Sequence, residues 1–343
     1  MAKKSKRTIV YLIVMKTVKS YLAQSLLLMT VALTACQSGD KQSEETVSRG
    51  EITISVDESL KPIIQAEKEA FEAKTKYAKV NTVYVPELAA IQLMLKDSTR
   101  LAVVTRHLKP DEKEVFEKAN LKYRALHMAT DAIAFITHGS SKDTLISVEE
   151  LKEVMHGKIT KWNQLKYGKS NSKITLVLDN DNSSNLQYLL DTLQIADKKQ
   201  SPLFAVKSNK EVIEYVQKTP GAVGVIGVNW ISDIDDPEHP TFTKGIKVMG
   251  VAPKYSANLE DYIQPYQYAI ALKKYPLSRN IYLITKEAKR GLGTGFINYV
   301  LSDPGQRIVL KSGLLPATQV IRLIETRNFS IQAEDLNARR IKN

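Results

Sequence analysis

Short β-like apolar runs alternate with helix-patterned segments over most of this chain, and several runs lead into a Ser-, Thr- or Asn-rich helix start. That alternation restricts the chain to layered α/β architectures, because a largely parallel sheet needs helices on its faces. Residues 51–56 read as a strand, and a helix follows from about Leu60 with Ile63, Ile64, Ala70 and Phe71 on one face. Ser59 is its expected N-cap. Strands are expected over 80–85, 101–104 and 129–137, with helices around Ile91 and Leu95 and from Pro110, where Val115 and Phe116 should face inward. Ser147 and Glu150 form a capping box for a helix to Met155, and Ser208 with Glu211 forms a second for a helix ending near Lys218. Further strands are expected over 174–178, 222–228, 266–272 and 281–285, and helices over 186–193, 296–301 and 305–310. Helix starts expose unpaired N–H groups at the positive end of the dipole, which suits an anion.

The 343 residues fit two α/β domains better than one small core. The formal charge is +12, but Lys3, Lys4, Lys6, Arg7, Lys16 and Lys19 lie in an N-terminal stretch, residues 1–35, that holds no acid, which leaves +6 for the rest. A mild positive balance fits an anionic ligand or surface. No Arg/Lys stripe interleaved with aromatics points to nucleic acid, so none is expected as a partner.

Residues 1–35 have the basic start, short apolar stretch and small-residue end of a secretory signal. Met15-Lys16-Thr17-Val18-Lys19 would itself make a good signal start, so Met1 and Met15 both stand as candidate translation starts. Cys36, the chain's one cysteine, follows Leu33-Thr34-Ala35, which resembles the lipobox of bacterial lipoproteins. The resemblance implies cleavage before Cys36, lipid attachment there and a place in the cell envelope, periplasmic or surface-exposed. Residues 36–49 are polar and read as a flexible tether.

A family likeness rests on motifs in order: Thr130-Asp131-Ala132-Ile133-Ala134-Phe135-Ile136, Gly157-Lys158-Ile159-Thr160-Lys161-Trp162-Asn163, and Pro220-Gly221-Ala222-Val223-Gly224-Val225-Ile226-Gly227. Tyr275-Pro276-Leu277-Ser278-Arg279 and Asp303-Pro304-Gly305-Gln306 follow. The series, over about residues 50–316, resembles the phosphate-binding lipoproteins of Pst-type ABC importers. The resemblance implies an α/β type II periplasmic-binding-protein fold, two α/β lobes joined by two hinge strands, with the ligand in the cleft. The first lobe would take residues 50–134 and the return at 267–343, which ends in a tail; the second would take 135–266. It further implies a monomer that captures phosphate or a similar oxyanion for importer permease subunits, with no cofactor and no metal.

Carried over by motif, the ligand contacts would be Ser59, Thr105, Arg106, Ser183, Ser184 and Asn185. Two departures stand out. Pro86-Glu87-Leu88-Ala89 replaces a Gly-Ser-Gly-type loop, and Asp179 stands where the family's Arg is expected. Asp57, Glu58, Glu87, Asp179 and Asp181 crowd the inferred cleft with carboxylates. A second class stays open: a non-transport surface sensor or interaction protein with the same fold and a changed ligand. Gly291-Leu292-Gly293-Thr294-Gly295 looks like a nucleotide loop but lacks the Lys. There is no Gly-x-Ser-x-Gly elbow and the His residues lack metal-type spacing, so the chain reads as a binder and not an enzyme.

Overall fold

A computed structural model describes residues 45–232 and 243–318. The signal, Met15, Cys36, the tether up to residue 44 and the tail from 319 lie outside the described residues. The last part of the expected tether, 45–49, is held. The Glu45 carboxylate accepts from Arg100 Nη2 at 2.8 and 2.9 Å and from the N–H of Leu292 at 2.9 Å.

Three strands lie parallel at one edge of the main sheet: β1 (Arg49–Asp57), β2 (Tyr77–Val85) and β3 (Leu101–Val104). α1 (Lys61–Lys74), α2 (Glu87–Leu95) and α3 (Pro110–Lys118) connect or follow them. β4 (Arg124–His138) is fifteen residues long and runs on into the other half of the sheet. β5 (Leu145–Ser147), α4 (Val148–Met155), β6 (Thr175–Leu178), α5 (Ser184–Leu193), β7 (Leu203–Ala205), α6 (Asn209–Lys218) and β8 (Ala222–Gly227) come next. After β9 (Ile246–Val248), β10 (Gly250–Ala252) and α7 (Gln267–Ala271), the chain returns as β11 (Ser278–Thr285), α8 (Leu292–Leu301), α9 (Asp303–Lys311) and β12 (Leu315–Pro316).

The sheet order is β2-β1-β3-β11-β4-β8-β6-β7. β11 runs antiparallel to both β3 and β4, and β4 antiparallel to β8, so the expected parallel character holds only at the two flanks. β4 changes partners along its length. Residues 124–132 pair with β11, and 133–137 pair with β8. Apolar side chains from Met128 to Ile136 are fully buried along this strand, which is why the sequence run there is nearly continuous. One core gathers Ile52, Ile54, Leu60, Phe71, Phe296 and their neighbours; another gathers Phe135, Trp162, Leu186, Val225 and Tyr275. The architecture is the two-lobe α/β fold.

Three local expectations are corrected. Residues 266–272 are not a strand but hold the short helix α7, where Ala269 and Ile270 are buried while Tyr268 and Leu272 are each 49% exposed. A short apolar run does not tell strand from helix by itself. Val115 is exposed and only Phe116 of that pair enters the core. Ser59 is not a helix N-cap: it lies inside a 3-10 turn, Glu58–Leu60, whose cap is Asp57.

Candidate functional site

Asp131 and Arg279 face each other across β4 and β11, as Cα partners in the antiparallel register. Their side chains meet where β4 passes from one half of the sheet to the other. Arg279 Nη2 and Nε lie 3.2 and 3.3 Å from Asp131 Oδ2, and both side chains are buried. Asp131 Oδ1 also accepts from the N–H of Val228 at 3.2 Å. A buried carboxylate holding a buried guanidinium fixes a positive fork that cannot turn toward solvent.

The fork points at the 3-10 turn that precedes α1 and at the start of α5. Arg279 Nη2 donates to Ser59 Oγ at 3.1 Å, and Nη1 donates to Ser184 Oγ at 3.2 Å. Ser184 Oγ in turn donates to Ser59 Oγ at 3.2 Å. Ser59 follows β1, where Asp57 accepts from the Ser59 hydroxyl at 2.7 Å and from its N–H at 3.4 Å. The Ser59 carbonyl accepts from Asn229 Nδ2 at 3.2 Å and Trp230 Nε1 at 2.8 Å, just beyond β8. Ser184 opens α5. Its cap, Ser183, accepts from the Asn185 N–H at 3.2 Å and donates to Asp179 Oδ1. Asn185 Nδ2 donates to Asn209 Oδ1 at 3.4 Å, and Asn209 donates on to Glu58. Residues from both halves of the sheet thus share one buried polar cluster.

Its electrostatics are mixed. Burial, then the charge of Glu87, pushes the Asp57 carboxyl up to about 7, against the pull of Arg279. Burial also raises Asp131 and Asp179, each opposed in part by Arg279, and raises Glu58, where Asp179 adds to the effect. The Oδ1 atoms of Asn185 and Asn229 are buried acceptors with no hydrogen-bond partner among the described residues. Among the described residues, no three His, Cys, Asp or Glu side chains are arranged to hold a metal ion.

The structure therefore brings Ser59, Ser183, Ser184 and Asn185 together. Thr105 and Arg106 sit beside them in a separate network. The Thr105 N–H and hydroxyl donate to Glu87 Oε1 at 2.6 and 2.7 Å. Arg106 Nε lies 3.2 Å from Glu87, and its two terminal nitrogens hold Glu112 at 2.7 and 2.8 Å. Arg106 thus spends its fork on two carboxylates of its own half. The cation that faces the serines is Arg279, which sequence reasoning passed over along with Asp131, Asn229 and Trp230. A signal existed. Asp131 is the one charge within the mostly apolar stretch 128–136 of β4, and such a residue calls for a buried partner.

Residues 41–304 match the family model described as the PBP superfamily domain. The chain belongs to the PBP superfamily. It is 28% identical over 225 residues to the phosphate-binding protein PstS of Borreliella burgdorferi, covering 63% of this chain and 72% of that protein. It is 24% identical to the phosphate-binding protein PstS of Bacillus subtilis, covering 82% and 86%. Among solved structures, a Clostridium perfringens protein with bound phosphate superposes with a TM-score of 0.66 at 22% identity, over 78% of this chain and all of that one. That last likeness speaks for the fold.

Proposed function

We propose that this PBP-superfamily chain is an extracytoplasmic solute-binding lipoprotein that captures phosphate or a similar oxyanion for an ABC importer. One observation carries the reading. A buried guanidinium, pinned by Asp131, donates into the hydroxyls of Ser59 and Ser184, which come from opposite halves of the sheet. An oxyanion entering there would take over the two Arg279 donors and both serine hydroxyls. It would also meet the helix start at Ser184 and its N–H groups. Arg279 then supplies the charge that Asp179 cannot, so the departure from the family's Arg at that position does not leave the cleft without a cation. Ser183 and Asn185 shape the same loop, while Thr105 and Arg106 act through Glu87 at its border. Asp57, poised near neutrality, can donate to an oxyanion oxygen or accept a P–OH proton. The relatives with phosphate-binding names support the ligand, and the shared cluster supports closure of two lobes, with boundaries near residues 134 and 267, over it.

Cys36 carries the lipid in this reading, residues 1–35 are removed, and the anchored monomer presents its closed face to permease subunits. Isothermal titration tests the ligand. Phosphate saturating one site supports the reading, with loss of at least tenfold in the Arg279→Gln variant. No heat with phosphate at millimolar concentration sinks it.

A further inference from the structure

The glycine-rich stretch 291–295 is the first turn of α8, and its N–H groups are already occupied by carboxylates. Glu287 accepts from the N–H groups of Gly293 and Thr294 at 3.0 and 2.7 Å, and Glu45 accepts from Leu292. Glycine is needed there for close approach: a Cβ at Gly295 would fall 1.8 Å from the Val47 carbonyl oxygen, and one at Gly291 would fall 2.6 Å from Glu45 Oε1. The chain is therefore clamped to the body at residues 45–47, and Arg100 closes the clamp on Glu45.

The clamp fixes the point on the body from which the chain runs back toward Cys36. Cys36 stands nine positions before Glu45, with eight residues between them. Fully extended, that is a reach of roughly 30 Å, and as a flexible coil roughly 16 Å. Beside the clamp lies a hollow of about 390 Å³, with Leu121, Lys289 and Arg290 on its rim. Leu121 is 49% exposed, and Lys289 and Arg290 are exposed as well. Among the described residues neither of these two cations has an ion-pair partner. The acids nearby are committed: Glu45 to Arg100, Glu287 to the helix start and Asp97 to Lys286 at 2.7 Å.

We infer that the face around Glu45, with Leu121, Lys289 and Arg290, lies against an anionic lipid surface. The inference rests on the reading of Cys36 as lipid-bearing. With lipid on Cys36, nine residue steps hold Glu45 within roughly 30 Å of the bilayer, and each unpaired cation near an anionic leaflet adds about fivefold to the orientation that faces it. The clamp and the cations beside it thus make membrane attachment directional.

Because Cys36 would be blocked by lipid, an introduced cysteine is the sole free thiol for a label. The natively processed protein is reconstituted in vesicles of phosphatidylcholine with one quarter phosphatidylglycerol and a nitroxide-bearing lipid. A fluorophore is placed at Ala288→Cys or, in the other half of the chain, at the exposed Leu259→Cys. The expected result is several-fold stronger quenching at 288 than at 259, with the contrast shrinking in 1 M salt. Adding Lys289→Gln and Arg290→Gln lowers the orientational bias about 25-fold. Vesicle-bound protein with equal quenching at both sites overturns the proposal, as does a contrast that survives unchanged in pure phosphatidylcholine or in the double Gln variant. Protein that does not float with the vesicles sinks the lipid-anchor reading, and this proposal with it.

Discussion

Arg279 is only 4% exposed, so its charge is tolerable because Asp131 and two hydroxyls surround it. Removing one member of a buried ion pair costs about 3–5 kcal/mol. Arg279→Gln should therefore lower stability by that order in denaturant titration, besides weakening oxyanion binding. Arg279→Lys should keep more stability than it keeps affinity, because it retains a charge and loses the fork. Asp57 sets a pH dependence. Its carboxyl is protonated below about 7 and charged above, so affinity for an oxyanion should fall as pH rises through 7. Asp57→Asn should flatten that slope relative to the unaltered protein, measured by titration calorimetry at pH 6 and 8. A second buried acid lies on α1. Both oxygens of Glu67 are buried with no partner among the described residues, and burial pushes its carboxyl from 4.5 up to about 9. The folded state then holds a proton that the unfolded chain has released, so the cost of this residue grows with pH between 4.5 and 9. Glu67→Gln should gain little at pH 5 and about 2 kcal/mol or more at pH 8 in urea unfolding. An equal effect at both pH values would remove the argument. The sequence displayed Ser59 and Ser184 as candidates through their helix-start context. It could not display Arg279 as their partner, because that meeting depends on a strand register spanning 220 residues between Ser59 and Arg279.

Helix starts were the most legible elements. The Ser147–Glu150 box forms in full, with Ser147 Oγ accepting from the Glu150 N–H at 3.1 Å and Glu150 accepting from the Ser147 N–H at 2.8 Å. The second box forms by half. Ser208 accepts from the Glu211 N–H, while the Glu211 carboxylate takes the N–H of Lys207 instead. These signals are local, three or four residues wide, and so the sequence carries them. The α8 start was not legible as a cap, because its acceptors arrive from Glu287 upstream and from Glu45, far away in the chain. Glu287→Ala should cost about 2–3 kcal/mol, since three donors at that turn, including the Thr294 hydroxyl at 2.6 Å, lose a charged acceptor. Thermal unfolding checks it, and a variant as stable as the parent would show that water replaces the carboxylate without loss. The strand expected at 266–272 failed for the opposite reason: its apolar run had no period to read, and the docking of Ala269 and Ile270 against the core decided for a helix turn.

For the whole molecule, capture and stability are linked. A ligand present at a hundred times its Kd adds about 2.7 kcal/mol to the folded state. Phosphate should accordingly raise the unfolding temperature by several degrees, and sodium chloride at matched ionic strength should not. The two-lobe plan was readable from motif order, yet the identity of the strand at its centre was not. β11 lies between β3 and β4, so the middle of the first half is built from residues that follow the entire second half. Until residue 285 has been made, β3 and β4 each present an edge with nothing beside it on that side. A chain emerging from its amino end can therefore finish the later-numbered body before the earlier one. Export in an unfolded form, or shielding by a chaperone, would protect those open edges from pairing with a stranger.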